Sequence, residues 1–177
     1  GRYHNDEALQ IIIKMAVANK FRTLYVGQHG LLSTPAISVI IRKHKISAGI
    51  ILSASHNPAG PSGDFGVKFN TSNGAPATEL ISRAIYSESK KLNYYHIADV
   101  SEVNLAKIGH LQISETLIRV MDSVADYMEL MVQQFDFQRI QDLFARGFSF
   151  CFDAMNAITG PYAKLIFEKT LGARPGS

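Results

Sequence analysis

The chain is expected to fold as an α/β protein, with a mixed or parallel sheet sandwiched by helices and the start of a second, similar α/β domain. Two observations lead there. Helix-like and strand-like patterns alternate along most of the 177 residues. The strand-like runs are short and apolar without in–out alternation, as expected where helices cover both faces of a parallel sheet.

Taken in order, residues 7–20 are apolar at helical spacing (Leu9, Ile12, Ile13, Ala16, Val17), with Asn5 or Asp6 as the cap. Thr23–Gly27 reads as a short strand bounded by glycine. Thr34-Pro35 predicts a helix start, a capping hydroxyl followed by proline at the first helical position. That helix runs through Ile37, Ile40 and Ile41 to the basic end Arg42-Lys43-His44-Lys45, where positive charge suits the helix dipole. Ala48–Leu52 is the next strand, read as buried.

A further strand is expected over 66–70 and a turn at Asn73-Gly74. An amphipathic helix over 77–92 passes through Leu80, Ile81, Ala84 and Ile85. Residues 93–115 are mixed and carry no assignment, and 117–121 reads as a last strand of this layer. Ser123 is expected to cap a helix through Tyr127, Leu130 and Met131, and Asp136 another through Ile140, Leu143 and Phe144. Residues 148–153 read as a strand, and 160–171 as a helix ended by Gly172.

The domain boundary is placed near 127–133, where the last strand gives way to a fresh helix–strand–helix series. Domain I is then 1–127 and the beginning of domain II 128–177. The second series, about 45 residues, is too short to close a core alone. With no initiator Met at Gly1, the chain is expected to be a fragment.

Apolar content of 46% with 10% aromatics is ordinary for a globular protein and argues against disorder. No run approaches the roughly 18 apolar residues of a membrane span, and the start lacks a signal sequence. The single Cys151, inside Phe148-Ser149-Phe150-Cys151-Phe152, is expected to be a buried strand residue in a reducing, cytoplasmic compartment. The net charge of +3 is too small to imply nucleic-acid binding. Residues 1–62 carry +5, which suits a small anionic ligand but equally describes a solvated charged surface.

The densest chemistry follows the apolar Gly49-Ile50-Ile51-Leu52. There Ser53-Ala54-Ser55-His56-Asn57-Pro58-Ala59-Gly60-Pro61-Ser62-Gly63-Asp64-Phe65-Gly66-Val67-Lys68 places a hydroxyl, an imidazole and a carboxamide at the end of a strand. A reactive group where a parallel strand ends is the usual α/β site geometry. Serine is a poor nucleophile near neutral pH without a base or charge stabilisation. A phosphoserine in turn wants metal, lysine or backbone N–H partners. His56 is adjacent; Gly60, Gly63 and Gly66 let the backbone pass close to a ligand; Lys68 returns to the site if the loop folds back as a hairpin. Pro58 and Pro61 stiffen the loop. Singly, each group has a bland reading: a loop hydroxyl, a surface histidine, a solvent-facing lysine. There is no Walker loop. The residues by themselves point to phosphate or acyl chemistry at a strand end.

Ser53 to Asn70 resembles the signature of the α-D-phosphohexomutases, Thr-Ala-Ser-His-Asn-Pro. The continuation Gly63-Asp64-Phe65-Gly66-Val67-Lys68-Phe69-Asn70 is similar to the eukaryotic-type phosphoglucomutase branch, including its parafusin-like members. Gly27-Gln28-His29-Gly30-Leu31-Leu32-Ser33-Thr34-Pro35-Ala36 resembles that branch's preceding segment. Asp153-Ala154-Met155 and Gly160-Pro161-Tyr162 resemble the start of its second domain.

The resemblance implies that Ser55 carries the phosphoryl group, whose phosphate also ligates an essential Mg²⁺. It implies that His56 contacts the sugar phosphate and that Lys68 assists proton transfer, within a phosphate loop that includes Asn57, Gly60 and Gly63. The implied reaction interconverts glucose 1-phosphate and glucose 6-phosphate through glucose 1,6-bisphosphate, with a monomeric protein at full length and sugar phosphates as its partners. Ser53 stands where the family has Thr, Ala59 for Gly, Ser62 for Asn, His29 for Asn and Asn156 for His. Ala59 is expected to affect the loop because alanine tolerates positive φ poorly. The family's Asp-x-Asp-x-Asp metal loop has no counterpart here, so this stretch alone is expected to bind Mg²⁺ poorly and not to turn over. Two alternatives remain at this level: a mutase for another hexose phosphate, and a scaffold phosphoprotein of the same family with weak or no mutase activity.

Overall fold

A computed structural model describes residues 2–176. The first helix, α1 (Asn5–Ala18), lays Leu9, Ile13 and Val17 along one stripe, and Ile13 and Val17 are buried. Neither Asn5 nor Asp6 caps it, contrary to expectation: the helix starts at Asn5, two residues ahead of the 7–20 pattern, so both lie inside its first turn, and His4 at the cap position makes no side-chain cap bond. The stripe packs on β1 (Thr23–Gly27) and on the later strand β5 (Thr116–Met121), where Val26 and Ile118 join it, with Val103, in the main core.

A 3₁₀ turn (Gln28–Gly30) leads to α2 (Thr34–Lys43), and β2 (Ala48–Leu52) follows. The cap of α2 is Ser33 rather than Thr34: Ser33 Oγ accepts from Ala36 N at 3.3 Å, which moves Thr34 and Pro35 into the first turn. α2 covers one face of β2, where Gly49 backs onto Ile37 and Ile41. Ile51 is therefore 5% exposed and Ile50, on the opposite face, 49%. The strand is buried on one side and not on both.

β2 pairs antiparallel with β3 (Val67–Thr71), which turns at Gly74 toward α3 (Glu79–Ser89). Thr78 Oγ1 caps α3, so the helix is shorter at both ends than the 77–92 pattern suggests. β4 (Gly109–Ile113), unassigned from sequence, pairs antiparallel with β5, and β5 pairs parallel with β1. The sheet is thus mixed, in the order β1-β5-β4, beside the β2-β3 ladder.

Residues 90–108 lack regular structure but are pinned at intervals. Ala98 N donates to Lys14 O at 3.2 Å, and His29 N to Leu105 O at 2.8 Å. The Gln10 carboxamide accepts from Val103 N at 3.0 Å and donates to Val103 O at 2.9 Å.

Ser123 does not cap α4 (Ala125–Gln134): Val124 holds the cap position without a side-chain cap bond, Asp122 Oδ1 accepts from Val124 N and Ala125 N in the turn ahead of it, and Ser123 Oγ donates to Gln28 O. Asp136 caps α5 (Phe137–Ala145) through Arg139 N. The 148–153 strand does not form among the described residues. Phe150 instead stacks on Phe144 at 5.6 Å and meets Phe167 edge-on at 5.0 Å, so this stretch packs by rings without a ladder partner. Cys151 is consequently exposed, not buried.

The last helical stretch divides into α6 (Thr159–Ala163) and a π-helical Lys164–Thr170, ending at Gly172 with φ +77°. A second core cluster of Ala36, Val124 and Tyr162 joins it to α2. Tyr162 Oη accepts from Ser33 N at 3.0 Å and donates to Ser123 O at 2.6 Å. At one end of α2, Lys43 Nζ meets Asp126 and Glu129 at 2.7 and 2.5 Å, and His44 Nε2 meets Asp126 at 2.7 Å. Among the described residues no helix is long and apolar enough to cross a membrane.

Candidate active site

β2 delivers the chain to the Ser55 loop and β3 carries it away. The register sets Ile51 opposite Lys68 and Leu52 opposite Val67. Ser53 N then extends the ladder, donating to Gly66 O at 2.8 Å. The strand ahead of Ser55 therefore has an antiparallel neighbour, where the sequence suggested a parallel one, and the hairpin brings two distant side chains together. Lys68 Nζ donates to Ser55 Oγ at 2.9 Å across thirteen residues of sequence.

Ser55 has φ +53°, in the left-handed region that residues other than glycine seldom adopt. Such a backbone costs on the order of 1–3 kcal/mol and persists only where its surroundings fix it. Here Ser55 N donates to Ser53 Oγ at 3.1 Å and Asn57 N closes a turn on Ala54 O at 3.1 Å. The hydroxyl at 53 supplies the acceptor, and serine has it as threonine would.

Beyond Ser55 the loop folds on itself. Asn57 Nδ2 donates to Asp64 Oδ2 at 2.9 Å, Asp64 N to Pro58 O at 3.1 Å and Gly63 N to Gly60 O at 3.0 Å. Gly60, at φ +119°, occupies a conformation that disfavours any side chain. Ala59 is not among the positive-φ residues, so its methyl group does not strain the loop, contrary to expectation. His29 does adopt positive φ, +54°, and histidine, like asparagine, is enriched there.

Ser55, His56 and Lys68 are all exposed, and the site is open on that side. His56 has no hydrogen-bond partner among the described residues and is free to meet a ligand.

Arg2 was not singled out from sequence. Its Nε donates to Asp64 O at 2.8 Å, its NH1 to Asn57 O at 3.0 Å and its NH2 to Pro58 O. These contacts span 55 to 62 residues, so no local pattern announces them.

Among the described residues no three His, Cys, Asp or Glu side chains gather as a metal site. The Asp64 carboxylate is already engaged by Asn57. These residues by themselves do not fit a divalent cation.

The sequence profile of the phosphoglucomutase/phosphomannomutase alpha/beta/alpha domain I matches residues 1–96. The chain belongs to this family. Phosphoglucomutase of Rhizobium radiobacter is 52% identical to this phosphoglucomutase/phosphomannomutase-family chain over 177 residues, all of the chain and 33% of the relative. The chloroplastic phosphoglucomutase of Arabidopsis thaliana is 48% identical over the whole chain and 29% of its own length. The cytoplasmic enzyme of Populus tremula is 44% identical, with 32% of its length covered. In structure, the exocytosis-sensitive phosphoprotein pp63/parafusin from Paramecium, a phosphoglucomutase in its open form, superposes with a TM-score of 0.92 at 42% identity. That match covers 98% of this chain and 34% of the other. The chain spans about a third of the length of the curated relatives it matches.

Proposed function

We propose that the protein is a phosphoglucomutase that interconverts glucose 1-phosphate and glucose 6-phosphate through a phosphoserine at Ser55 and glucose 1,6-bisphosphate. The observation that carries this reading is the 2.9 Å contact of Lys68 Nζ with Ser55 Oγ inside the family's signature loop.

The chemistry follows from that contact. A hydroxyl oxygen of the sugar phosphate attacks the phosphorus in line, and the P–Oγ bond breaks as the new P–O bond forms. The Lys68 ammonium stabilises the charge appearing on Oγ and gives it a proton; the amine left behind takes the proton of the attacking hydroxyl. The balance is one proton moved from sugar oxygen to Ser55. The reverse transfer uses the same pair. His56, exposed beside Ser55, is placed to donate to a phosphate or sugar oxygen, and Asn57, Gly60 and Gly63 shape the loop around it. Were Mg²⁺ bound, a phosphate on Ser55 would be the group of this chain that holds it, and the cation would supply charge neutralisation.

We assign 1–127 to domain I and 128–177 to the start of domain II. The partners are small sugar phosphates and not nucleic acid, with a monomer in the cytoplasm, the compartment of the Populus relative. A second reading draws on the Paramecium neighbour, described as an exocytosis-sensitive phosphoprotein: the same serine loop in a scaffold role. The family's phosphomannomutase members keep another hexose phosphate open as substrate, which sugar competition decides.

The test is mass analysis of the tryptic peptide 46–68 from the full-length protein, before and after incubation with glucose 1,6-bisphosphate. Phosphate on Ser55 that exchanges with the sugar is the expected result. A folded protein whose peptide never carries phosphate would hand the lead to the scaffold reading.

A further inference from the structure

We propose that Arg2 is a positioning residue for phosphoryl transfer, a guanidinium clasp that closes the neck of the 57–64 loop and so keeps the Ser55 hydroxyl aligned with Lys68. The proposal rests on the reading of Ser55 as the phosphoryl carrier.

Arginine presents its donors in a rigid planar fork. Here three of its nitrogens reach carbonyls on both arms of the loop, Asn57 and Pro58 on the outgoing arm and Asp64 on the returning one. The arms are otherwise joined near this point by Asn57 Nδ2 to Asp64 Oδ2 and by Asp64 N to Pro58 O. Arg2 lies immediately ahead of α1, whose Asn5 N donates to Arg2 O at 3.0 Å, and α1 is held in the core by Ile13 and Val17. His4 Nε2 adds a second, longer contact to Pro61 O at 3.3 Å. The exposed loop is thereby moored to a core helix from outside its own hairpin.

Two facts give the mooring a catalytic meaning. Asn57 is two residues from Ser55 and its N–H closes the turn on Ala54 O, so a shift of Asn57 O is transmitted directly to the strained Ser55 backbone. In addition, Arg2 bonds only neutral carbonyls and forms no ion pair among the described residues, so its role lies in the fork geometry and not in neutralising a carboxylate.

The experiment compares wild type, Arg2→Ala and Arg2→Lys in the full-length protein. It reads kcat and KM for glucose 1-phosphate, phosphate exchange on Ser55 by mass, and amide hydrogen exchange of 56–66 against the 116–121 core strand. Misplacement of a reacting group by about 1 Å costs up to about a hundredfold in rate. Arg2→Ala is expected to lower kcat and Ser55 phosphate exchange together by about ten- to a hundredfold, with KM within about threefold. Loop amides exchange faster while those of the core strand do not. Arg2→Lys keeps charge and stem but loses the fork; it recovers little of the rate, and it carries the test should Arg2→Ala fail to fold. Wild-type kcat and loop protection in Arg2→Ala, or full recovery in Arg2→Lys, would overturn the clasp. Wild-type protein in which Ser55 never exchanges phosphate sinks the underlying phosphoserine reading instead, and the two failures are told apart by that control.

Discussion

Lys68 reaches Ser55 because it stands opposite Ile51 in an antiparallel register, one residue into β3, so that its Nζ comes within 2.9 Å of Ser55 Oγ. No other side chain among the described residues donates to that hydroxyl. Lys68→Met, which keeps the length of the stem and removes the donor, is expected to lower kcat by about 10² to 10⁴, the range of one acid–base group. Steady-state kinetics with unchanged thermal unfolding is the check; a loss under threefold would remove Lys68 from the chemistry.

Gly66 sits where the ladder meets the loop. A Cβ there would collide with Ser53 O, the neighbour across the hairpin, and would stand 3.2 Å from the Ser53 carbonyl carbon. Gly66→Ala is therefore expected to wedge the two strands apart just before Ser55. It should cost about 1–3 kcal/mol of stability as overpacking and about a hundredfold in turnover as misalignment. Denaturant unfolding and kinetics on one preparation separate the two effects.

Tyr162, 6% exposed, serves two backbone groups on different parts of the chain, Ser33 N and Ser123 O. Tyr162→Phe leaves the ring in place and strands a buried N–H. A loss of about 1–3 kcal/mol is expected from that unmet donor, read as a lower denaturant midpoint with an unchanged m-value.

Partial burial pushes the Asp126 carboxyl up, but hydrogen bonds from Lys43 and His44 outweigh it and hold the group below the ordinary 3.8. The folded state thus binds this proton more weakly than the unfolded chain. The stabilisation is full above the unfolded value and is lost as pH falls through the lower folded one. Asp126→Asn is expected to cost on the order of 1 kcal/mol at pH 7. The difference from wild type should close below about pH 4. Hydrogen bonds to Asp126 and Glu129 raise Lys43, whose share is lost only as pH climbs beyond 10.5. Unfolding curves across acid pH decide it.

The parts legible in the sequence were those with a local signature. The β-branched and apolar runs at 23–27 and 48–52, the basic end of α2 and the Asp136 cap show in composition and spacing alone, although the strands pair with, and Lys43 and His44 bind, residues far along the chain. A cap slipped by one where two candidates adjoin: at Ser33-Thr34, only geometry decides which oxygen meets the first-turn N–H of Ala36. The run 148–153 carries strand composition, yet a strand needs a partner, and its phenylalanines found rings. β4 escaped notice because His110 and Gln112 dilute its pattern; its identity comes from pairing with β5. At the site, the hairpin return of Lys68 was readable from the glycine-rich loop, whereas Arg2 was not, since its carbonyl partners lie 55 to 62 residues away.

The pinning of residues 90–108 sets where this chain tolerates added length. A Gln10 amide that both gives to and takes from the Val103 peptide group does the work of an adjacent strand, and further bonds at Ala98, Leu105 and Ala106 leave only short spans unsecured. Insertions between 98 and 106 would break bonds that nothing nearby can replace, although the segment looks like a loop. The β4–β5 tip at Ser114-Glu115 is exposed, is tied elsewhere among the described residues only through the solvent-exposed Lys20–Glu115 pair, and has only a short turn to lengthen. Extra residues are accommodated there, as loop tips generally allow.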